Sequence, residues 1–261
     1  MNLDKYYTKS STVNLIKEWI INNININNNL IIEPSAGNGS FINMIKELSN
    51  NYLFVDISPE HNEIKKLDYL ELNIDNLKNS HVIGNPPFGK QSSLAIKFIK
   101  KSCEFCDSFS FILPKSFKKD SLKKHVDKYF HLIFEHDIPD NSFIYNNCEY
   151  NVPCVFQIWK KMDYEREKVQ VLEPLNYKFV KKDENPDISF RRVGVNAGNI
   201  DINYQDKSIQ SHYFIKFENV LNDEILSKLN NLKFEFNNTV GPKSLSKQEI
   251  IKEFNKCISN N

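Results

Sequence analysis

Between Ser10 and Asn22, Val13, Ile16 and Ile20, together with Leu15 and Trp19, fall near helical spacing behind Ser and Thr residues able to act as an N-cap, which predicts an opening helix. The Asn-rich tract Asn22–Asn29 reads as a polar connection to the next element. Leu30–Glu33 is a short apolar run ending in a glycine-containing turn, after which Phe41, Ile42, Met44, Ile45 and Leu48 resume a helical pattern. That is strand, tight turn, helix. The cycle repeats with Tyr52–Asp56 and the short KKLD stretch, with His81–Asn85 leading through NPPFG into the amphipathic segment 92–102, and with SFSFILP followed by the segment 117–126. Short buried strands alternating with helices predict a parallel sheet covered on both faces.

FHLIFEHDI and VPCVFQIW (Val152–Trp159) are separated only by the turn-rich PDNSFIYNNCEYN, too little chain for a good crossover helix, so the two are expected to pair antiparallel. The expected α/β fold is a Rossmann-like, mostly parallel seven-stranded sheet closed by an antiparallel hairpin, an arrangement that resembles that of Rossmann-like methyltransferases, followed by a small C-terminal element. Beyond Trp159 the pattern changes. Residues 160–185 are charged and broken, RRVGVNAGNI is loop-like, HYFIKFENV could be a strand, and residues 223–232 and 247–257 look helical. The expected division is a catalytic domain over 1–162 and a smaller recognition element over 163–261.

The 261 residues suffice for one large domain with an appendage, and 40% apolar with 26% charged residues is ordinary for a soluble chain without a membrane span. The first residues lack the apolar core of a secretory signal and the Arg-rich character of a transit peptide, so an intracellular location is expected. Five cysteines do not suggest a disulfide framework. Cys103 and Cys106 have metal-ligand spacing without a second pair, so no metal is expected. A net charge of +1 places any basic footprint locally rather than over the whole chain. The excess of Lys over Arg, with abundant Asn, Ile, Phe and Tyr, reads as AT-rich coding.

Candidate chemistry sits where the strands end. In EPSAGNGSF, Gly37 and Gly39 allow close approach of a ligand, and a helix starting near Asn38 would offer N–H groups to a carboxylate. An ordinary strand-to-helix turn is the plain alternative. No GK[ST] follows, and Ile42 stands where a dinucleotide fingerprint needs its third glycine. Asp56, ending the second strand, can accept both hydroxyls of a ribose, with Ile57 as an apolar floor for adenine and Asp68 as an acceptor for its amino group. The segment NPPF carries the most specific signal. An aromatic amino nitrogen delocalises its lone pair into the ring; the Asn85 side-chain oxygen and the Pro86 carbonyl could each accept one amino hydrogen and favour a pyramidal, nucleophilic nitrogen. Pro86 and Pro87 fix the backbone, and Phe88 offers a stacking face to an extruded base. A rigid Pro-Pro turn is the alternative.

With these motifs in this order, residues 4–160 resemble the N6-adenine amino-methyltransferases, in the arrangement of the gamma class of DNA adenine methylases: YYT, EPSAGNGSF, the Asp56 strand, Asp68, NPPF, LPKSF and IPDNSF. The resemblance implies S-adenosylmethionine as cofactor. It implies Tyr7 and Thr8 at the methionine portion, and a cofactor loop formed by Glu33, Pro34, Ser35, Ala36, Gly37, Gly39 and Phe41. It places Asn141, Ser142 and Phe143 beside the target base. Lys9 stands where the family often has proline, and NPPF replaces NPPY.

The lysines of LPKSFKKDSLKKHVDK, with Lys115, Lys118 and Lys119 foremost and Lys123, Lys124 and Lys128 after them, could contact phosphates or form a solvated helix face. Arg191 and Arg192 in FRRVGVNAG suit backbone or base contacts, or a structural loop. The implied partner is a nucleic acid, with DNA favoured by motif order and RNA the alternative. Protein glutamine methylation and an inactive binding subunit are further alternatives; the basic segments favour a nucleic acid, and the intact motifs speak against decay.

Overall fold

A computed structural model describes residues 6–26, 29–75, 77, 79–236, 238 and 241–258. Asn27 and Asn28 of the Asn-rich tract, and Asp4 and Lys5 at the start of the family-like span, lie outside the described residues. Two compact units make up the chain, Met1–Glu167 and Lys168–Asn261. The division therefore falls after Glu167, a few residues beyond the expected position.

In chain order the first unit contains β1 (Tyr7–Thr8), α1 (Ser10–Asn23), β2 (Leu30–Glu33), α2 (Ile42–Leu48), β3 (Tyr52–Asp56), β4 (Lys65–Lys66) and a 3-10 turn at Tyr69–Glu71. Next come β5 (Ser80–Gly84), a 3-10 turn at Lys90–Ser92, α3 (Ser93–Cys103), β6 (Ser108–Pro114) and a 3-10 turn at Lys115–Lys118. The unit closes with α4 (Asp120–Lys123), β7 (Phe130–Asp137), β8 (Phe143–Tyr145), β9 (Cys148–Tyr150) and β10 (Cys154–Lys161).

Seven strands form one sheet in the order β4-β3-β2-β5-β6-β10-β7. The pairs from β4 to β6 are parallel, and β10 lies antiparallel between β6 and β7. This is a Rossmann-like fold, as expected, with strand order reversing between β2 and β5. Alternate strand residues face opposite layers, as the pleat requires. Ile31, Ile83, Ile112 and Phe156 pack with Val13 and Ile16 of α1 and Ile42 and Ile45 of α2. Their neighbours Ile32, Val82, Phe111 and Val155 pack with Ala95 and Ile99 of α3. His81 is fully buried between the Ser108 and Ser110 hydroxyls at 2.5 and 2.9 Å, and burial pushes its imidazole down to about 3, a neutral core histidine.

Several local expectations change. Lys9, not a Ser or Thr, flanks α1, and no side chain caps it. The segment 117–126 is a 3-10 turn followed by the four-residue α4 instead of one helix. Inside PDNSFIYNNCEYN, β8 and β9 form a hairpin that joins β1 in a separate three-stranded sheet. Its turn is closed by Asn146 and Asn147, both at positive φ, the residue type that tolerates a tight hairpin of this kind.

The second unit is an antiparallel sheet of β11 (Tyr177–Val180), β12 (Ile188–Arg191), β13 (Ile200–Asp201) and β14 (His212–Phe217), in the order β11-β14-β12-β13, with α5 (Asp223–Asn230) and α6 (Lys247–Ile258). Its core joins Tyr177, Ile188, Phe190 and Ile215 to Leu229, Ile250 and Phe254. β11 arises inside the stretch read as charged and broken, and Arg191 ends a strand instead of lying in a loop. Among the described residues no helix is long and apolar enough to cross a membrane.

Candidate active site

A cavity of about 230 Å³ opens where β2, β3 and β5 end. In an open α/β sheet the strand ends at the reversal of strand order leave such a crevice, because the flanking connections diverge to opposite faces. Glu33, Pro34, Ser35, Ala36, Gly37 and Phe41 border it from the β2 turn, Asp56 and Ile57 from β3, Asp68 from the following segment, and Asn85 and Pro87 from β5. Tyr7 and Thr8 of β1 complete this set. Gly39, Pro86 and Phe88 are not among the lining residues. Phe88 is half-buried and packs against both core layers of the first unit.

Gly37 has φ +51°, a conformation that favours glycine, and a Cβ there would touch the Tyr7 ring of β1 at 3.4 Å. The Gly37 N–H donates to Asp56 Oδ2 at 2.8 Å, and Ser58 N–H donates to Oδ1 at 2.7 Å. Asp56 therefore stitches β3 to the glycine turn, and each of its oxygens, with one N–H bond, retains further acceptor capacity at the cavity border. The expected carboxylate-binding helix end is not formed. The helix that follows this loop, α2, starts at Ile42, and the Ala36, Gly37, Gly39 and Ser40 N–H groups already donate to protein oxygens. At Gly39, φ is +85°, a conformation that side chains rarely adopt, and a Cβ would meet Ile42 Cδ1 at 2.7 Å, so the turn itself calls for glycine.

Glu33 is 2% exposed, and its Oε2 is buried with no hydrogen-bond partner. Burial, reinforced by the nearby Asp56 charge, pushes its carboxyl up to about 8. The folded protein thus keeps a proton that the unfolded chain releases in the ordinary carboxylate range. Stability contributed by this proton is fully present below that range and is lost as pH rises through about 8. Glu33→Gln is expected to flatten the alkaline side of a melting-temperature profile between pH 6 and about 9; a variant profile that falls as steeply as wild type would contradict a protonated Glu33.

β1 is held from several sides. The Tyr7 hydroxyl lies 2.8 and 2.7 Å from the Glu60 carboxylate oxygens, and burial followed by this bond pushes the phenol up to about 12. Lys9 N–H donates to the Ser142 carbonyl, and its side chain pairs with Glu149. At the other wall, Asn85 Nδ2 faces the Tyr6 carbonyl at 3.4 Å and Thr8 Oγ1 at 3.5 Å, which orients the amide with Oδ1 on the opposite side. Ser35 Oγ donates to the Asn85 backbone carbonyl at 3.1 Å. Asp68 accepts the Leu70 N–H at 2.9 Å and so caps the 3-10 turn beside the cavity.

Tyr6, Asn38, Ser40, Ser58, Tyr69, Leu70, Leu94 and Phe98 also line the cavity and were not anticipated. Leu94 and Phe98 lie four apart on α3, a spacing that a helix following NPPF could have disclosed. Other sequence candidates lie elsewhere. Phe143 is 1% exposed in the core opposite Thr8, and Asn141 is an exposed turn residue at φ +56°.

Lys115 and Lys118 both pair with Asp137, at 3.0 and 2.5 Å, and Lys123 pairs with Glu135 at 2.9 Å. Burial works to raise the Asp137 carboxyl, but hydrogen bonds from Lys118 and Lys115 together hold it below its usual range. Lys119 stands at the start of α4, where its carbonyl accepts from Leu122 and Lys123. Arg191 donates to the Val193 carbonyl and the Ser211 hydroxyl, whereas Arg192 lies over the Tyr213 ring. Among the described residues no three His, Cys, Asp or Glu side chains converge as metal ligands.

No protein-family model and no curated protein matches the chain. Among solved structures, similarity extends to a protein from Pyrococcus horikoshii assigned as an RNA methyltransferase, at 18% identity and TM-score 0.46, over 61% of this chain and 87% of that one. A protein from Listeria monocytogenes assigned as a class I S-adenosylmethionine-dependent methyltransferase matches at 15% identity and TM-score 0.47, over 65% of each chain. The 23S rRNA methyltransferase ErmE matches at 10% identity and TM-score 0.44, over 63% of this chain and 73% of that one.

Proposed function

We propose that the chain transfers a methyl group from S-adenosylmethionine to the N6 amino group of adenine in a nucleic acid, with DNA the substrate favoured by the motif order. The carrying observation is that Asn85, its amide oriented by Tyr6 and Thr8, borders the same cavity as the Gly37 turn and the Asp56 carboxylate.

The chain's residues fit the cofactor. Glu33 offers a buried, unpartnered carboxyl oxygen to an α-ammonium group, Asp56 offers its remaining lone pairs to a ribose, and Ile57 and Leu70 supply apolar contact for an adenine. When bound, the cofactor supplies an electrophilic methyl on a sulfonium leaving group. Asn85 Oδ1 and the Pro86 carbonyl accept the two amino hydrogens of the target, which draws its lone pair out of conjugation and aims it. On accepting the methyl group, the exocyclic nitrogen held by Asn85 Oδ1 and the Pro86 carbonyl would release one amino proton to water. No strong base is needed, because the nitrogen loses its proton only as the new bond makes it acidic.

Two results test this reading. Pairing Glu33 with a cationic ammonium should ionise it, so cofactor binding near pH 7 should release about one proton, read by calorimetry in buffers of different ionisation enthalpy. Equal release by wild type and Glu33→Gln would contradict the pairing. Incubation with methyl-labelled cofactor and pools of single-stranded and duplex DNA, RNA and protein should label DNA; label confined to protein would overturn the nucleic-acid reading.

A further inference from the structure

Apart from the cavity described above, the second unit carries its own groove of about 900 Å³ over β11 and β14. Phe179 and Tyr213 project into it as a T-shaped pair, with ring centroids 5.6 Å apart. Lys247 Nζ sits 4.8 Å from the Phe179 centroid and 5.7 Å from that of Tyr213, and the Arg192 guanidinium lies 5.4 Å from Tyr213. Lys181 and Lys182 follow β11 along the rim, and Lys182 Nζ donates to the Lys207 carbonyl at 2.9 Å.

Charge decides what such a groove suits. Among the described residues, none of Lys181, Lys182, Lys247 and Arg192 has a carboxylate partner. This contrasts with Lys115, Lys118 and Lys123 of the first unit, whose charges are met by Asp137 and Glu135. Two carboxylates share the groove, Asp183 and Glu184, and Glu184 accepts the Lys181 backbone N–H at 2.6 Å. Three lysines thus share the groove lining with two carboxylates, and Arg192, outside the lining, adds a further cation at the Tyr213 ring, in a chain whose net charge is only +1. Aromatic rings hold Lys247 and Arg192 in place without neutralising them. Positive charges that track a groove beside aromatic side chains match a polymer that alternates phosphate anions with base faces. Duplex DNA hides those faces in its stack; an unpaired strand exposes them.

We infer that this groove binds an unpaired strand of DNA, with phosphates on Lys181, Lys182 and Lys247 and bases against Phe179 and Tyr213. Only the choice of DNA over RNA rests on the proposed function. The test is fluorescence anisotropy of the full chain with a labelled, mixed-sequence single-stranded DNA oligonucleotide across a salt series, without cofactor. Replacing Lys181, Lys182 and Lys247 together by Gln should lower the slope of log affinity against log salt by about 2 and weaken binding about a hundredfold near 0.1 M salt, since each single-strand phosphate contact contributes about 0.7 to that slope. Tyr213→Leu should weaken binding about tenfold, and Tyr213→Phe should restore it, because the ring and not the hydroxyl does the stacking. Melting curves identify any variant that unfolds, and the lysine substitutions keep the test valid if Tyr213→Leu does so. An unchanged salt slope in the triple variant overturns the inference, as does tighter binding of the matching duplex or of RNA of the same sequence. Since no cofactor is present, absence of methyl transfer in the labelling experiment would leave this result standing, and the converse holds.

Discussion

Asn85→Ala should reduce single-turnover methyl transfer by about a hundredfold or more, the loss expected when one preorganised transition-state acceptor is removed. Cofactor affinity should change much less, because the Asn85 amide is oriented by Tyr6 and Thr8 while the glycine turn and Asp56 stand on β2 and β3. Asn85→Asp separates acceptance from orientation. Aspartate keeps the acceptor but has no N–H to offer the Tyr6 carbonyl, so partial activity is expected. Rapid-quench measurement at saturating cofactor checks both variants. An Asn85→Ala rate equal to wild type would reduce NPPF to a rigid turn.

The second large effect falls on cofactor binding. Asp56→Ala removes the acceptor for two ribose hydroxyls and for the Gly37 and Ser58 N–H groups, and a loss of about 3 kcal/mol or more in binding is expected. Gly37→Arg acts differently: its φ of +51° disfavours any side chain, and a Cβ would already touch the Tyr7 ring at 3.4 Å with the rest of the arginine still to be placed. Titration calorimetry should detect no binding by Gly37→Arg. Wild-type affinity in both variants, with unchanged melting temperature, would contradict the assignment of the cavity.

The central sheet was legible because its strands are buried on both faces, which leaves short apolar runs such as residues 30–32 and 111–113. The site was legible for a related reason. In a parallel sheet every loop after a strand reaches the same edge, so Glu33, Asp56 and Asn85 converge without knowledge of any side-chain contact. Contacts between distant segments were not legible. Tyr7 and Thr8 pair with Ile144 and Phe143 across most of the first unit, and two- and three-residue strands carry too few positions for a period to show. The role of the lysines after β6 was hidden similarly. Lys115 and Lys118 meet Asp137 because β7 lies beyond β10 in the sheet and ends at the same edge as β6, an order that local sequence does not encode. Local duties were equally hidden: Asp68 caps the 3-10 turn while also bordering the cavity, and Gly39 stands in a left-handed turn.

The most direct test is to incubate the purified chain with methyl-labelled S-adenosylmethionine and adenine-containing DNA, digest the product to nucleosides, and identify the labelled species by chromatography and mass spectrometry. The account predicts label in N6-methyl-2′-deoxyadenosine, lost when Asn85 is replaced by Ala. Label on a ring nitrogen, on cytosine or on the sugar, or N6 label that persists in Asn85→Ala, would contradict it.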